Sequence, residues 1–162
     1  MRAQTPPIPW GEQAIDMASG NGHLGVVRRM RAQALPCPCS ASACHMAAVY
    51  GHLEVLQLLR AESPPVPWAV RVSRSAASNG HLGLLRWAVA QAPPCPLDEE
   101  ACHCAAEKGH LKMLQWLRAL TPPAPWDALG CFDKAMECGR TAVAQWIRQE
   151  LARGGVAVVW PH

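Results

Sequence analysis

Aromatic residues other than tryptophan are nearly missing from this chain, which has one phenylalanine and one tyrosine. Charge is sparse too. Charged residues make up 17% of the 162, and the balance is only +3, too weak to imply a nucleic-acid partner. No apolar run approaches the ~18 residues that would suggest a membrane span. The start, Met1-Arg2-Ala3-Gln4-Thr5-Pro6-Pro7, has no apolar stretch of the kind a secretory signal needs. With no such signal, the eight cysteines read as thiols of a reducing compartment. Catalytic signatures are lacking as well: there is no glycine-rich phosphate loop, no nucleophile elbow and no His-Glu-x-x-His. Cys102 and His103 are sequence neighbours. On a helix they would point about 100° apart, poor geometry for a nucleophile and its base. The expectation is a protein that is not an enzyme.

What the chain does have is hydrophobicity, at 50% of residues, and fifteen prolines. The first argues for a folded core rather than a disordered tail. The second turns out to be periodic. Gly-His-Leu occurs at Gly22, Gly51, Gly80 and Gly109, each 29 residues after the last. Proline clusters keep the same interval, at residues 6–10, 35–39, 64–68, 93–97 and 122–126. A fifth unit follows with one inserted residue and places Gly139-Arg140-Thr141 in the Gly-His-Leu register. Two markers in one register define a repeat array.

Each unit reads as two helices. Helix A starts after the proline cluster, at Gly11, Ser40, Ala69, Asp98 or Asp127. All but the alanine are good N-caps. Small residues, Ala47-Ala48, Ala76-Ala77 and Ala105-Ala106, let helices approach closely near its end. The glycine of Gly-His-Leu then stops it by adopting a left-handed conformation. Helix B carries a wide apolar stripe, such as Leu53, Val55, Leu56, Leu58 and Leu59. Such a stripe fits packing on its own partner and on both neighbouring repeats. Prolines end it.

At these residues the sequence resembles the ankyrin repeat family. Ser42-Ala43-Cys44-His45-Met46-Ala47-Ala48 stands where the family has Thr-Pro-Leu-His-x-Ala-Ala, and Gly51 to Leu59 is similar to its second-helix signature. Ala101-Cys102-His103-Cys104-Ala105-Ala106 repeats the first pattern. The period departs from the usual ~33 residues. The missing residues fall where the family has a β-hairpin, and three prolines in five residues make a hairpin ladder improbable. The expected fold is therefore an all-α, ankyrin-like helical-hairpin solenoid of about five repeats, with proline-rich, extended connectors resembling polyproline and no β-hairpins. This variant looks like ankyrin-like arrays of large DNA viruses and some protists. The expected repeats are roughly 10–38, 39–67, 68–96, 97–125 and 126–155 in one domain. Residues 1–9 would be the remnant of a preceding repeat, because Met1-Arg2-Ala3-Gln4 matches Met30-Arg31-Ala32-Gln33. The apolar stretch Val156–Trp160 heads a tail expected to pack back on the last repeat.

Four columns of residues need weighing. His23, His52, His81 and His110 sit one repeat apart. Stacked helices lie ~10 Å apart, whereas zinc ligands lie ~2 Å from the metal. Such histidines cannot share an ion, and hydrogen bonds to backbone in the inter-helix turn are expected instead. The cysteine pairs Cys37/Cys95 and Cys44/Cys102 are two repeats apart, and the local groups around Cys39 and Cys104 lack Cys-x-x-Cys spacing, so neither metal nor cofactor is expected. Trp87, Trp116 and Trp146 share a helix B position, and Trp10, Trp68 and Trp126 a connector position. Bridging of neighbouring repeats is the expected role of both sets. Arg31, Arg60, Arg118 and Arg148, interrupted by Val89, lie at the end of helix B, where the dipole favours a cation.

The function expected is protein–protein interaction. In ankyrin-like arrays helix A lines the concave face, so the resemblance implies partner contacts from the helix A positions that differ between repeats. These are Gln13 and Asp16, Ser42 and His45, Arg71 and Arg74, Glu100 and His103, and Asp133 and Lys134. The partner would be a protein, not nucleic acid or membrane. The chain would be an intracellular monomer of the cytoplasm, or of a host's cytoplasm if viral. The alternatives are a spacer within a longer array and a Cys/His metal-binding or redox protein.

Overall fold

The structure is a computed structural model that describes residues 11–33 and 37–153. The expected N-terminal remnant, Trp10 and the expected packing of the C-terminal tail lie outside the described residues. The described residues form ten α-helices and no strand. They fall into two compact units, Met1–Trp68 and Ala69–His162.

The first unit holds α1 (Glu12–Gly20), α2 (Leu24–Arg31), α3 (Ala41–Tyr50) and α4 (Leu53–Arg60). The second holds α5 (Val70–Ser78), α6 (Leu82–Val89), α7 (Glu99–Lys108), α8 (Leu111–Ala119), α9 (Ala128–Glu137) and α10 (Thr141–Arg153). Odd-numbered helices are the A helices of the repeats and even-numbered ones the B helices.

Packing follows the small residues. In the first unit α1 lies against α3, α2 packs on α1, α4 on α3, and α2 meets α4. In the second unit α5 lies against α7 and α7 against α9. Ala47, Ala48, Ala105 and Ala106 are completely buried, so the A helices meet almost backbone to backbone. A methyl added at Gly20 would come within 3.1 Å of Met46 on α3. The B helices supply bulk, with Val55, Leu56, Leu59, Leu114 and Leu117 at or near zero exposure. Each leucine of this kind contributes roughly 1.5–3 kcal/mol by leaving water.

The turn between the helices is built as the glycines require. Gly51 and Gly109 have φ of 78° and 82°, and the next residue's N–H reaches back, from His52 to the Ala47 carbonyl and from His110 to that of Ala105, at 2.8 Å each. These bonds take up carbonyls at the helix end, as in a Schellman motif. The N-caps agree less well. Ser40 accepts from the Ser42 amide and Asp127 from the Leu129 amide. Asp98 makes no side-chain cap bond; Arg74 of the neighbouring repeat takes its carboxylate instead.

The connectors also differ from expectation. They contain no strand among the described residues, but they are not extended throughout. Each chain segment bends and returns to the helix it has just left. The amides of Cys37, Val66, Cys95 and Ala124 donate to the carbonyls of Met30, Leu59, Ala88 and Leu117, at 3.0–3.1 Å. The four side chains are 2–4% exposed. Prolines flanking one donor remove the competing amides, so the single remaining N–H sets the bend. The bonds Ser63–Pro64, Ala92–Pro93 and Thr121–Pro122 are cis.

Candidate protein-binding face

The candidate residues come from two registers of helix A. The first holds Gln13, Ser42, Arg71 and Glu100, and all four are exposed. Their chemistry changes from neutral amide to hydroxyl, cation and anion at one repeated position. The second register holds Asp16, His45, Arg74 and His103, of which only Arg74 is exposed and the others are half-buried. In the second unit that register leans toward the next repeat. Arg74 Nε donates to Asp98 at 2.9 Å. His103 lies against α9 at Gly130, where a Cβ would come within 3.0 Å of its ring. Asp133 and Lys134 are exposed on α9, and Lys134 pairs with Glu137 at 2.9 Å.

Two atoms of this set have no hydrogen-bond partner, Asp16 Oδ1 and His103 Nε2. Burial, and then the nearby charge of Glu12, push the Asp16 carboxyl above its usual range. In the second unit a groove of about 330 Å³ runs beside Arg74 and Glu100, with Leu97, Asp98, Glu99 and Pro125 as its other walls. It offers carboxylates and two apolar walls to a ligand.

The other columns resolve into stacking devices that the sequence did not expose. His52 Nε2 lies 3.0 Å from the Gly20 carbonyl, and His110 Nε2 3.0 Å from that of Ser78. The histidines therefore bond to the preceding repeat and not to their own turn. At the fifth unit Arg140 does the same work, donating to the Glu107 carbonyl at 3.0 Å. The arginines do more than answer the helix dipole. Arg60 and Arg118 reach over the connector to the carbonyls of Val66 and Ala124. Their guanidinium carbons stand 4.1 Å above Trp68 and 4.5 Å above Trp126. A repeated spacing of eight residues between arginine and tryptophan was the available signal. Arg31 faces a cysteine at that spacing and pairs with Glu62 instead.

Five of the eight thiols are buried. Cys102 and Cys131 are fully buried, and burial pushes their pKa values up to about 11 and about 12. No group of three or more His, Cys, Asp or Glu side chains placed to hold a metal occurs among the described residues.

Hairpins of two short helices, stacked A helix on A helix, with glycine-stopped turns, define a helical-hairpin repeat protein. Residues 73–118 match the protein family described as ankyrin repeats (many copies). No curated protein matches the chain. Ankyrin repeats are in general protein–protein interaction modules, and the family is typically non-enzymatic. Among the described residues no helix is long and apolar enough to cross a membrane.

Proposed function

We propose that this chain is a protein-interaction module of about five repeats, at roughly 10–38, 39–67, 68–96, 97–125 and 126–155. It binds a protein partner through the concave face lined by helix A and performs no catalysis of its own. It works as a monomer inside the cell, in the cytoplasm. The contacting residues are Gln13, Asp16, Ser42, His45, Arg71, Arg74, Glu100, His103, Asp133 and Lys134.

One observation carries this reading. Gln13, Ser42, Arg71 and Glu100 share a register, are all exposed, and differ chemically. The nearby register of Ala47, Ala76 and Ala105 is buried and invariant. Stacking demands identity at the alanine register and nothing at that of Gln13, Ser42, Arg71 and Glu100, so the latter is free to encode a partner.

A crosslinking pull-down with the parent chain and Arg71→Glu tests it. The variant should recover at least fivefold less partner while keeping its helical circular dichroism. Equal recovery would move the binding face elsewhere. Arg74→Glu needs a companion, Asp98→Arg, because Arg74 also holds its neighbour.

A further inference from the structure

A second surface lies on the outer side of α2. A cavity of about 550 Å³ is lined there by His23, Gly25, Val26, Arg29, Met30 and Gln33. Four of these residues occupy registers that, one or more repeats later, make contacts between repeats.

His23 shares its register with His52 and His110, whose Nε2 atoms bond to the carbonyl of the preceding helix A. Val26 shares its register with Val55, Met113 and Val143. Those three are 1%, 2% and 1% exposed, whereas Val26 is 48% exposed. Arg29 shares its register with Trp116, over which Arg86 of the preceding helix B sits at 5.9 Å. Gln33 shares its register with Glu62, which pairs with Arg31 of the preceding helix B. Met17 on α1 is also 65% exposed.

We propose that this cavity is a vacant seat for a further helical hairpin of the ankyrin type. The occupant's chemistry follows from the four counterparts. Its helix A ends on a carbonyl free to accept from His23. Its helix B puts an apolar residue against Val26. At the register of Arg86 it carries a carboxylate, because the ring found under Arg86 is here the cation of Arg29. Its last turn carries a donor for Gln33. Two observations support the proposal: the interface that α1–α2 and α3–α4 already form in this unit continues onto this face, and Arg29 is exposed there. The seat is independent of the helix A partner.

The test supplies such a hairpin in register. A copy of residues 40–58, with Gln57→Glu in the copy, is joined directly ahead of Met1 of the full chain. This places the copied Val49 carbonyl at the register that bonds histidine and the new carboxylate opposite Arg29. Thermal unfolding of the extended chain should be a single transition, with its midpoint raised by about 5 °C or more. Val26→Glu should abolish that rise in the extended chain and leave the parent unchanged, since Val26 is exposed there. A separate low transition for the added hairpin, or an equal effect of Val26→Glu on both chains, would overturn the proposal. Mass by light scattering supplies the other arm. A parent mass that stays monomeric with concentration supports a hairpin other than this chain's own. Concentration-dependent assembly lost in Val26→Glu would give the seat to a second copy and overturn the assignment.

Discussion

Two connectors of the second unit, residues 89–97 and 118–126, make the same bend by different means. The later one is clamped: Arg118 spans it, bonds the Ala124 carbonyl and covers Trp126. The earlier one has Val89 and Leu97 at those two places, so it has neither the cation nor the ring. Yet the amide of Cys95 reaches Ala88 at 3.0 Å, as that of Ala124 reaches Leu117 at 3.0 Å. The bend is thus a property of the backbone and of one buried side chain. The arginine–tryptophan pair is added strength, and the two residues are present together or absent together in these connectors.

The comparison can be broken most severely at the shared element. Ala124→Asp and Cys95→Asp should each cost about 3 kcal/mol or more, because both bury a charge without a partner. Urea unfolding should find similar losses in both connectors; a small loss at Cys95 would mean that the unclamped connector does not depend on its bend. A second test uses pH to couple the clamped connector to the helices behind it. Cys102 and Cys131 have folded pKa values of about 11 and about 12, raised above the ordinary thiol value by burial. Their contribution to stability is fully present below about pH 9 and is lost as pH rises through the folded values. The denaturation midpoint should fall over that window; the fall should shrink in Cys102→Ala/Cys131→Ala and deepen in Arg118→Ala, because the Arg118 charge holds both thiol pKa values lower than burial alone would.

Smaller effects probe the clamp itself. Arg118→Ala should cost about 1–2 kcal/mol, from one hydrogen bond and one cation–π contact. Val89→Ala, measured alongside, should lose only the packing of its methyl groups. The reverse experiment, Val89→Arg with Leu97→Trp, should gain up to about 1 kcal/mol, and only as a pair. A gain from either single substitution would deny that they act together. Least of all, Arg71→Glu should move the unfolding midpoint by no more than about 0.5 kcal/mol equivalents, as exposed substitutions usually do.

Much of this architecture could be read along the chain because its causes are local. Gly51 and Gly109 stop their helices through a backbone conformation that glycine adopts at no steric cost. Ser40 and Asp127 start theirs through a side chain two residues from its partner. Asp98 failed the same test because its stronger partner, the Arg74 guanidinium, lies 24 residues away in sequence. The connector bend was missed for a related reason. Its prolines suggested extension, while the one free amide between them found a carbonyl seven residues back. At the candidate face, the register of Gln13, Ser42, Arg71 and Glu100 was legible as variable. That Arg74 and His103 also serve the seam between repeats was not.

The sequence alone determined the period, the two helices of each unit, their stops and the all-helical class, because these follow from spacing and from residues acting within a turn or two. Tertiary structure alone decided what the repeated histidines, arginines and tryptophans touch, because their partners lie in the neighbouring repeat or across a bent connector. It also separated Val26 from Val55, identical residues in identical registers, by covering one and leaving the other open.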